Sequence, residues 1–219
     1  MKKTITLLLA TIFCVVISSN AQINRGSIML GGTINGSGNN LKDPDSSVYK
    51  TSNFTIAPAI GFAISTNTIL GFSLSYGIGN TKYNGSSDEQ KYHTYGIGTF
   101  LRKYKSLAKD FYLFGEGNLT YYHSSYNYSI YNSGTAYDSK ANEVSLNITP
   151  GVAYNLTRSI QLETGLQNLL YAGYSASKET PKDNANGTEY KQSGFNVGTS
   201  LNTVSLNNIF IGIRIFLNK

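Results

Sequence analysis

Large apolar side chains recur at every second position over most of the chain. Ile28, Leu30, Gly32 and Ile34 alternate with Ser27, Met29, Gly31 and Thr33. The same alternation carries Phe54, Ile56, Pro58, Ile60, Phe62 and Ile64, then Leu70, Phe72, Leu74, Tyr76 and Ile78. It returns in Val144, Leu146, Ile148, Pro150, Val152, Tyr154 and Leu156, and in Ile209, Ile211, Ile213, Ile215 and Leu217. A period of two is the repeat of an extended chain, whose successive side chains point to opposite faces. Each run therefore predicts a strand with one large apolar face and one small or polar face. Less regular alternation over 91–104, 110–128 and 160–174 predicts three more, which makes eight strands in all.

The connections alternate in length. Short ones fall at 65–68, 105–109 and 157–159, and long polar ones near 37–50, 84–90, 129–141 and 175–193. An even number of strands, with short turns at one end and long loops at the other, is the pattern of an antiparallel outer-membrane barrel. An internal repeat agrees with it: residues 56–65 (IAPAIGFAIS) match residues 148–157 (ITPGVAYNLT), and both run into a short turn and a further strand. Pro58 and Pro150 cannot donate to a ladder, and a closed barrel has no edge to hide them. A bulge or a lost hydrogen bond is expected at each.

Composition decides which face meets what. Charged residues are only 14% of the chain, against about 25% in an ordinary soluble domain. Gly (22 residues) and Tyr (17 residues) are abundant, and the smaller faces of the strands are Gly, Ser, Thr and Ala. A soluble β domain would put Lys and Glu there. A small barrel instead needs compact residues inside, with its Ile, Leu and Phe turned to lipid and its backbone groups paired round a closed ring. The formal charge is +6, and no run of Lys or Arg forms the electrostatic footprint of a nucleic-acid binder.

The amino terminus predicts export. Lys2 and Lys3 precede an apolar stretch from Ile5 to Ile17, and Ser19-Asn20-Ala21 places small residues where a signal peptidase cuts. Residues 1–21 are read as a signal peptide cleaved after Ala21, and residues 22–219 as one barrel domain. The stretch is shorter than the ~20 residues of a spanning helix. The one cysteine, Cys14, lies inside it, so the mature chain has none.

With these features the chain resembles the small eight-stranded outer-membrane barrels of the OmpA/OmpX type, in the closing strand 208–217 (NIFIGIRIFL) as well as in alternation and loop asymmetry. The resemblance implies an all-β, eight-stranded antiparallel up-and-down transmembrane barrel in the outer membrane of a Gram-negative cell. Short turns and both termini would be periplasmic, and the longer loops extracellular. It also implies outer-membrane lipid and lipopolysaccharide as surroundings and the barrel-assembly machinery as a partner during insertion. The family is defined by pattern rather than by a catalytic motif.

Candidate chemistry is sparse. Alternation puts four charges on the inner face near the short turns: Arg102, Glu116, Glu163 and Arg214. A buried charge without a partner is costly, so the expected pairs are Arg102 with Glu116 and Glu163 with Arg214, separate or joined in one cluster, as a structural tie or as an ion gate. His123 and Ser125 share one face, a spacing similar to that of outer-membrane lipid A deacylases. A nucleophilic serine also needs an orienting acid, and the next acids, Asp138 and Glu143, lie well downstream; no catalytic residue is assigned. Asp43 and Asp45 make no full Ca²⁺ ligand set, and Gly77, Gly79, Gly96 and Gly98 sit inside strands, where crowding rather than phosphate binding explains them. No metal or cofactor is expected. Tyr121, Tyr122, Tyr126, Tyr128, Tyr131 and Tyr137 crowd the third hairpin, as an aromatic girdle and as an adaptable recognition surface. The expected function is a non-enzymatic structural or surface-interaction protein whose loop ligand the sequence does not identify. A narrow porin-like channel is the alternative, and a lipid A-modifying hydrolase a more distant one.

Overall fold

The computed structural model describes residues 23–42, 48–83, 89–129, 136–182, 188–199 and 209–217. The predicted signal segment, the acids Asp43 and Asp45, and Tyr131 lie outside them. Ten extended segments are present: β1 (Ile28–Lys42), β2 (Val48–Ser65), β3 (Thr68–Tyr83), β4 (Glu89–Ala108), β5 (Phe111–Ser129), β6 (Ala136–Asn155), β7 (Ile160–Leu166), β8 (Leu170–Pro181), β9 (Tyr190–Thr199) and β10 (Ile209–Leu217). All pairings are antiparallel. β7 and β8 both run along β6, and β10 and β9 run along β7 and β8 in turn, so the ten segments make a closed barrel of eight strands. The ring closes where Ile28–Leu30 pair with Ile215–Leu217.

The turns and strand ends refine the sequence reading. Two residues each, Thr66–Asn67 and Lys109–Asp110, make the turns after β2 and β4. Asn67 and Asp110 take the left-handed conformation (φ 60° and 65°), which their short polar side chains tolerate. The expected turn at 105–109 is therefore smaller than predicted, because β4 runs on to Ala108. Much of the expected long loops is also strand: β1 continues to Lys42, β6 begins at Ala136 and β8 reaches Pro181. β9 falls where the sequence reading had a loop and then no element at all. Its polar outer half carries little apolar alternation, and ladder pairing rather than burial holds it.

Both prolines sit at breaks in the ladder. The β2–β3 pairing passes from Ile56–Tyr76 to Ala59–Ser73, skipping Pro58. The pairing of β6 passes from Gly151–Gly165 to Ile148–Leu170, so Pro150 lies opposite the interruption between β7 and β8. Asn168 in that interruption has φ 53°, the bent backbone of a bulge.

The wall has two chemically distinct faces. Phe54 to Ile64 on β2, Leu70 to Ile78 on β3 and Ile209 to Leu217 on β10 put large apolar side chains outward, with Ile211 80% exposed and Phe72 56% exposed. On β2 the run spans about 33 Å of strand, or about 23 Å of membrane at a tilt of ~45°. Tyr95, Tyr121 and Tyr174 are the last outward apolar residues before polar ends, and Phe111 packs on Tyr154 (4.7 Å between ring centroids) at the turn end. The third hairpin's tyrosines divide between the faces. Tyr121 points out, whereas Tyr126 pairs with inward Tyr92 at 5.8 Å and Tyr122 lines the interior.

Inside, the turn end is filled and the rest is not. Ile23, Met29, Ile69, Phe100, Tyr104, Tyr112, Phe114 and Phe216 form a buried core there, so the interior is not made of small residues alone. Ile23 folds beneath the barrel, its N–H donating to Asn67 Oδ1 (2.9 Å) while its carbonyl accepts from Asn67 N–H (3.0 Å). Towards the loop end small residues line a cavity of about 250 Å³. Glycines admit the rings that border it: a Cβ on Gly71 would lie 2.2 Å from the Phe100 ring, and one on Gly96 would lie 2.7 Å from the Tyr122 ring.

Candidate functional site: a buried charge network at the turn end

β4, β5, β7 and β10 each turn one charge into the barrel just above the core. Arg102 Nε donates to Glu116 Oε2 at 2.6 Å, and its Nη1 donates to Glu163 Oε2. Glu163 Oε1 accepts from Arg214 Nε at 2.8 Å. The four residues form one chain, Glu116–Arg102–Glu163–Arg214, in which Arg102 joins the two pairs. Arg102 and Glu163 are 1–2% exposed, and Glu116, 14% exposed at its side chain, faces the cavity. Charges this deep are tolerable only when paired and hydrogen-bonded.

Neighbours complete the network. The Arg102 guanidinium carbon lies 4.2 Å from the centre of the Phe114 ring, a cation–π contact. Tyr104 Oη accepts from Arg102 Nη1 and donates to Gln161 Oε1, both at 3.1 Å. Gln161 Nε2 donates to Asn155 Oδ1 (3.0 Å), and Asn155 Nδ2 donates to Tyr112 Oη (3.2 Å). Small residues admit the long side chains: a Cβ on Gly31 would lie 2.3 Å from Arg214 Nη1, and one on Gly212 would lie 3.0 Å from Glu163 Oε1. Tyr104, Gln161, Asn155 and Tyr112 were not singled out in the sequence. Tyr104 and Gln161 each stand two positions from a charged member, and the alternation that placed the charges inside places them there too.

His123 is on the outer wall, not near this network. Its Nδ1 lies 2.9 Å from Asn142 Oδ1, which also accepts from Tyr121 Oη at 2.7 Å. Of the two expected acids, Asp138 is engaged by Lys182 Nζ at 2.9 Å. Glu143 stands one position from Asn142 along β6 and so faces the other side of the wall. An amide, not a carboxylate, therefore meets the imidazole. Among the described residues no group of His, Cys, Asp and Glu is placed to hold a metal ion.

The closed eight-stranded wall, its apolar belt and its filled turn end are accompanied by a family match: the profile of the OmpA-like transmembrane domain fits residues 30–203. The chain belongs to the OmpA-like transmembrane domain family. It is thus an outer-membrane β-barrel protein, with its membrane belt on the outward face. Among solved structures, Neisserial surface protein A is similar with 15% identity over 90% of this chain and 99% of that one, at a TM-score of 0.39. A major outer membrane protein from Thermus thermophilus is similar with 11% identity over 89% and 100% of the two chains, at a TM-score of 0.43. No curated protein sequence matches.

Proposed function

We propose that this OmpA-like barrel is a non-enzymatic structural and surface-interaction protein of a Gram-negative outer membrane, with its turns and termini periplasmic. The observation that carries the reading is the charge network itself. Arg102, Glu116, Glu163 and Arg214 tie four strands together directly above an apolar core, so side chains rather than a water column occupy the turn end. The strands that leave the apolar belt then serve as a rigid base for the outer loops. Outer-membrane lipid surrounds the belt, and the barrel-assembly machinery inserts it. The loop ligand is a surface partner of unknown chemistry.

A narrow channel for ions or small solutes is the second reading. It is favoured by the polar cavity above the network, onto which Arg102, Glu116 and Arg214 open. Planar-bilayer recordings separate the two. The plugged barrel gives no conductance steps, and removal of two central members in Arg102→Ala/Glu163→Ala creates them. Regular steps from the wild-type protein that this variant leaves unchanged would favour the channel.

A further inference from the structure

The register of the outer hairpins sets three lysines side by side on the outer wall. Lys140 of β6 lies directly opposite Lys178 of β8, which lies directly opposite Lys191 of β9. Even spacing places Lys140 on the same outward face as Val144 and Leu146, Lys178 with Tyr174, and Lys191 with Phe195 and Val197; all are exposed. Like charges directly opposite across a ladder destabilise the pairing, so strand pairing alone does not favour this row.

Local acids neutralise only part of it. Glu189 is shared, with Oε1 2.5 Å from Lys178 Nζ and Oε2 3.8 Å from Lys191 Nζ. Asp138, two positions beyond Lys140, is held by Lys182. Among the described residues, three ammonium groups and one carboxylate thus leave a local excess of two positive charges. With His123, Asn142 and Ser193 the lysines line an open depression of about 440 Å³ on the wall.

Nearer the membrane belt, beyond the small and polar row Asn142–Ala176–Ser193, Val144, Tyr174 and Phe195 form a further row of direct cross-strand neighbours, 45%, 53% and 68% exposed. The two rows are four residues apart, about 13 Å along the strand, which the flexible lysine stems can partly span. Cations above and exposed apolar side chains below match a molecule with an anionic head and hydrocarbon tails. An acidic protein would use the lysines but not an apolar row continuous with the belt.

We propose that Lys140, Lys178 and Lys191 form a docking site for the phosphate-bearing headgroup of an outer-leaflet lipid, whose acyl chains run down over Val144, Tyr174 and Phe195. Phosphate oxygens accept charge-assisted hydrogen bonds from the ammonium groups and relieve the repulsion along the row. The inference rests on the outer-membrane placement and is independent of the interior plug.

The test uses the refolded barrel in a neutral sugar detergent, with native mass spectrometry to follow binding of a multiply acylated diglucosamine bisphosphate lipid and its dephosphorylated counterpart. Wild-type protein prefers the phosphorylated lipid by about tenfold or more. Lys140→Gln/Lys178→Gln/Lys191→Gln loses that preference, whereas Lys103→Gln/Lys105→Gln, outward at the turn end, keeps it. In neutral detergent the triple variant melts no lower than wild type, and Lys140→Gln alone gives a partial loss should the triple variant fail to fold. Equal affinity for the two lipids, an unaffected triple variant, or complete displacement by inorganic phosphate alone would overturn the proposal. A protein whose unheated gel mobility does not differ from its boiled mobility would instead contradict the membrane barrel itself.

Discussion

Glu163 is the residue on which the interior network turns, since it accepts from both Arg102 and Arg214 and is 2% exposed. Glu163→Gln keeps the shape and removes the charge, leaving two guanidinium groups with Glu116 as the one remaining carboxylate of the network, and Arg214 with none. Breaking a buried pair this way costs about 3–5 kcal/mol. Glu116→Gln, at a carboxylate that faces the cavity and serves one arginine, should cost less. Urea unfolding in lipid vesicles, followed by the heat-dependent gel shift, gives the order of the two. Glycines make a second contrast. Gly71→Ala would drive a Cβ to 2.2 Å from the Phe100 ring and 2.5 Å from the Ile60 carbonyl oxygen, whereas a Cβ on outward Gly115 meets nothing within 4 Å. The first substitution should lower the melting temperature clearly, and the second should leave it nearly unchanged.

At the scale of the strand, alternation assigns each position to lipid or lumen. Leu74 is outward, 60% exposed and well inside the belt of β3, so Leu74→Arg should destabilise the inserted barrel by about 2–4 kcal/mol, as arginine does near the bilayer midplane. A reversible unfolding titration in vesicles measures it. The same alternation explains what was legible in the sequence. Arg102, Glu116, Glu163 and Arg214 could be placed on the inner face because each sits in a run whose neighbours at ±2 are glycine, an amide or an aromatic rather than the large aliphatics of the outer face. Tyr104 and Gln161 carried the same positional signal, but a tyrosine or a glutamine in a strand does not announce a buried role. The lysine row could not be read at all. Lys140, Lys178 and Lys191 are far apart in the chain and meet only through the register of β6, β8 and β9, in segments whose polar composition resembled loops. β9 was missed for the same reason: a strand held by ladder pairing beyond the belt needs no apolar period.

For the whole molecule, closure replaces the usual core. Among the described residues apolar burial is confined to a small cluster at the turn end, and most large apolar side chains face outward, which only a lipid surround makes stable. The central claim is therefore the direction of the two faces, and the absence of cysteine after Cys14 gives direct access to it. Leu146→Cys and Asn147→Cys place single thiols on adjacent residues of β6, one exposed on the outer wall and one lining the cavity. Each is labelled with a small fluorophore and the protein is reconstituted into vesicles containing brominated phospholipid. Strong quenching at residue 146 with little at residue 147 is the predicted result. Equal quenching at the two sites, or stronger quenching at residue 147, would contradict the account.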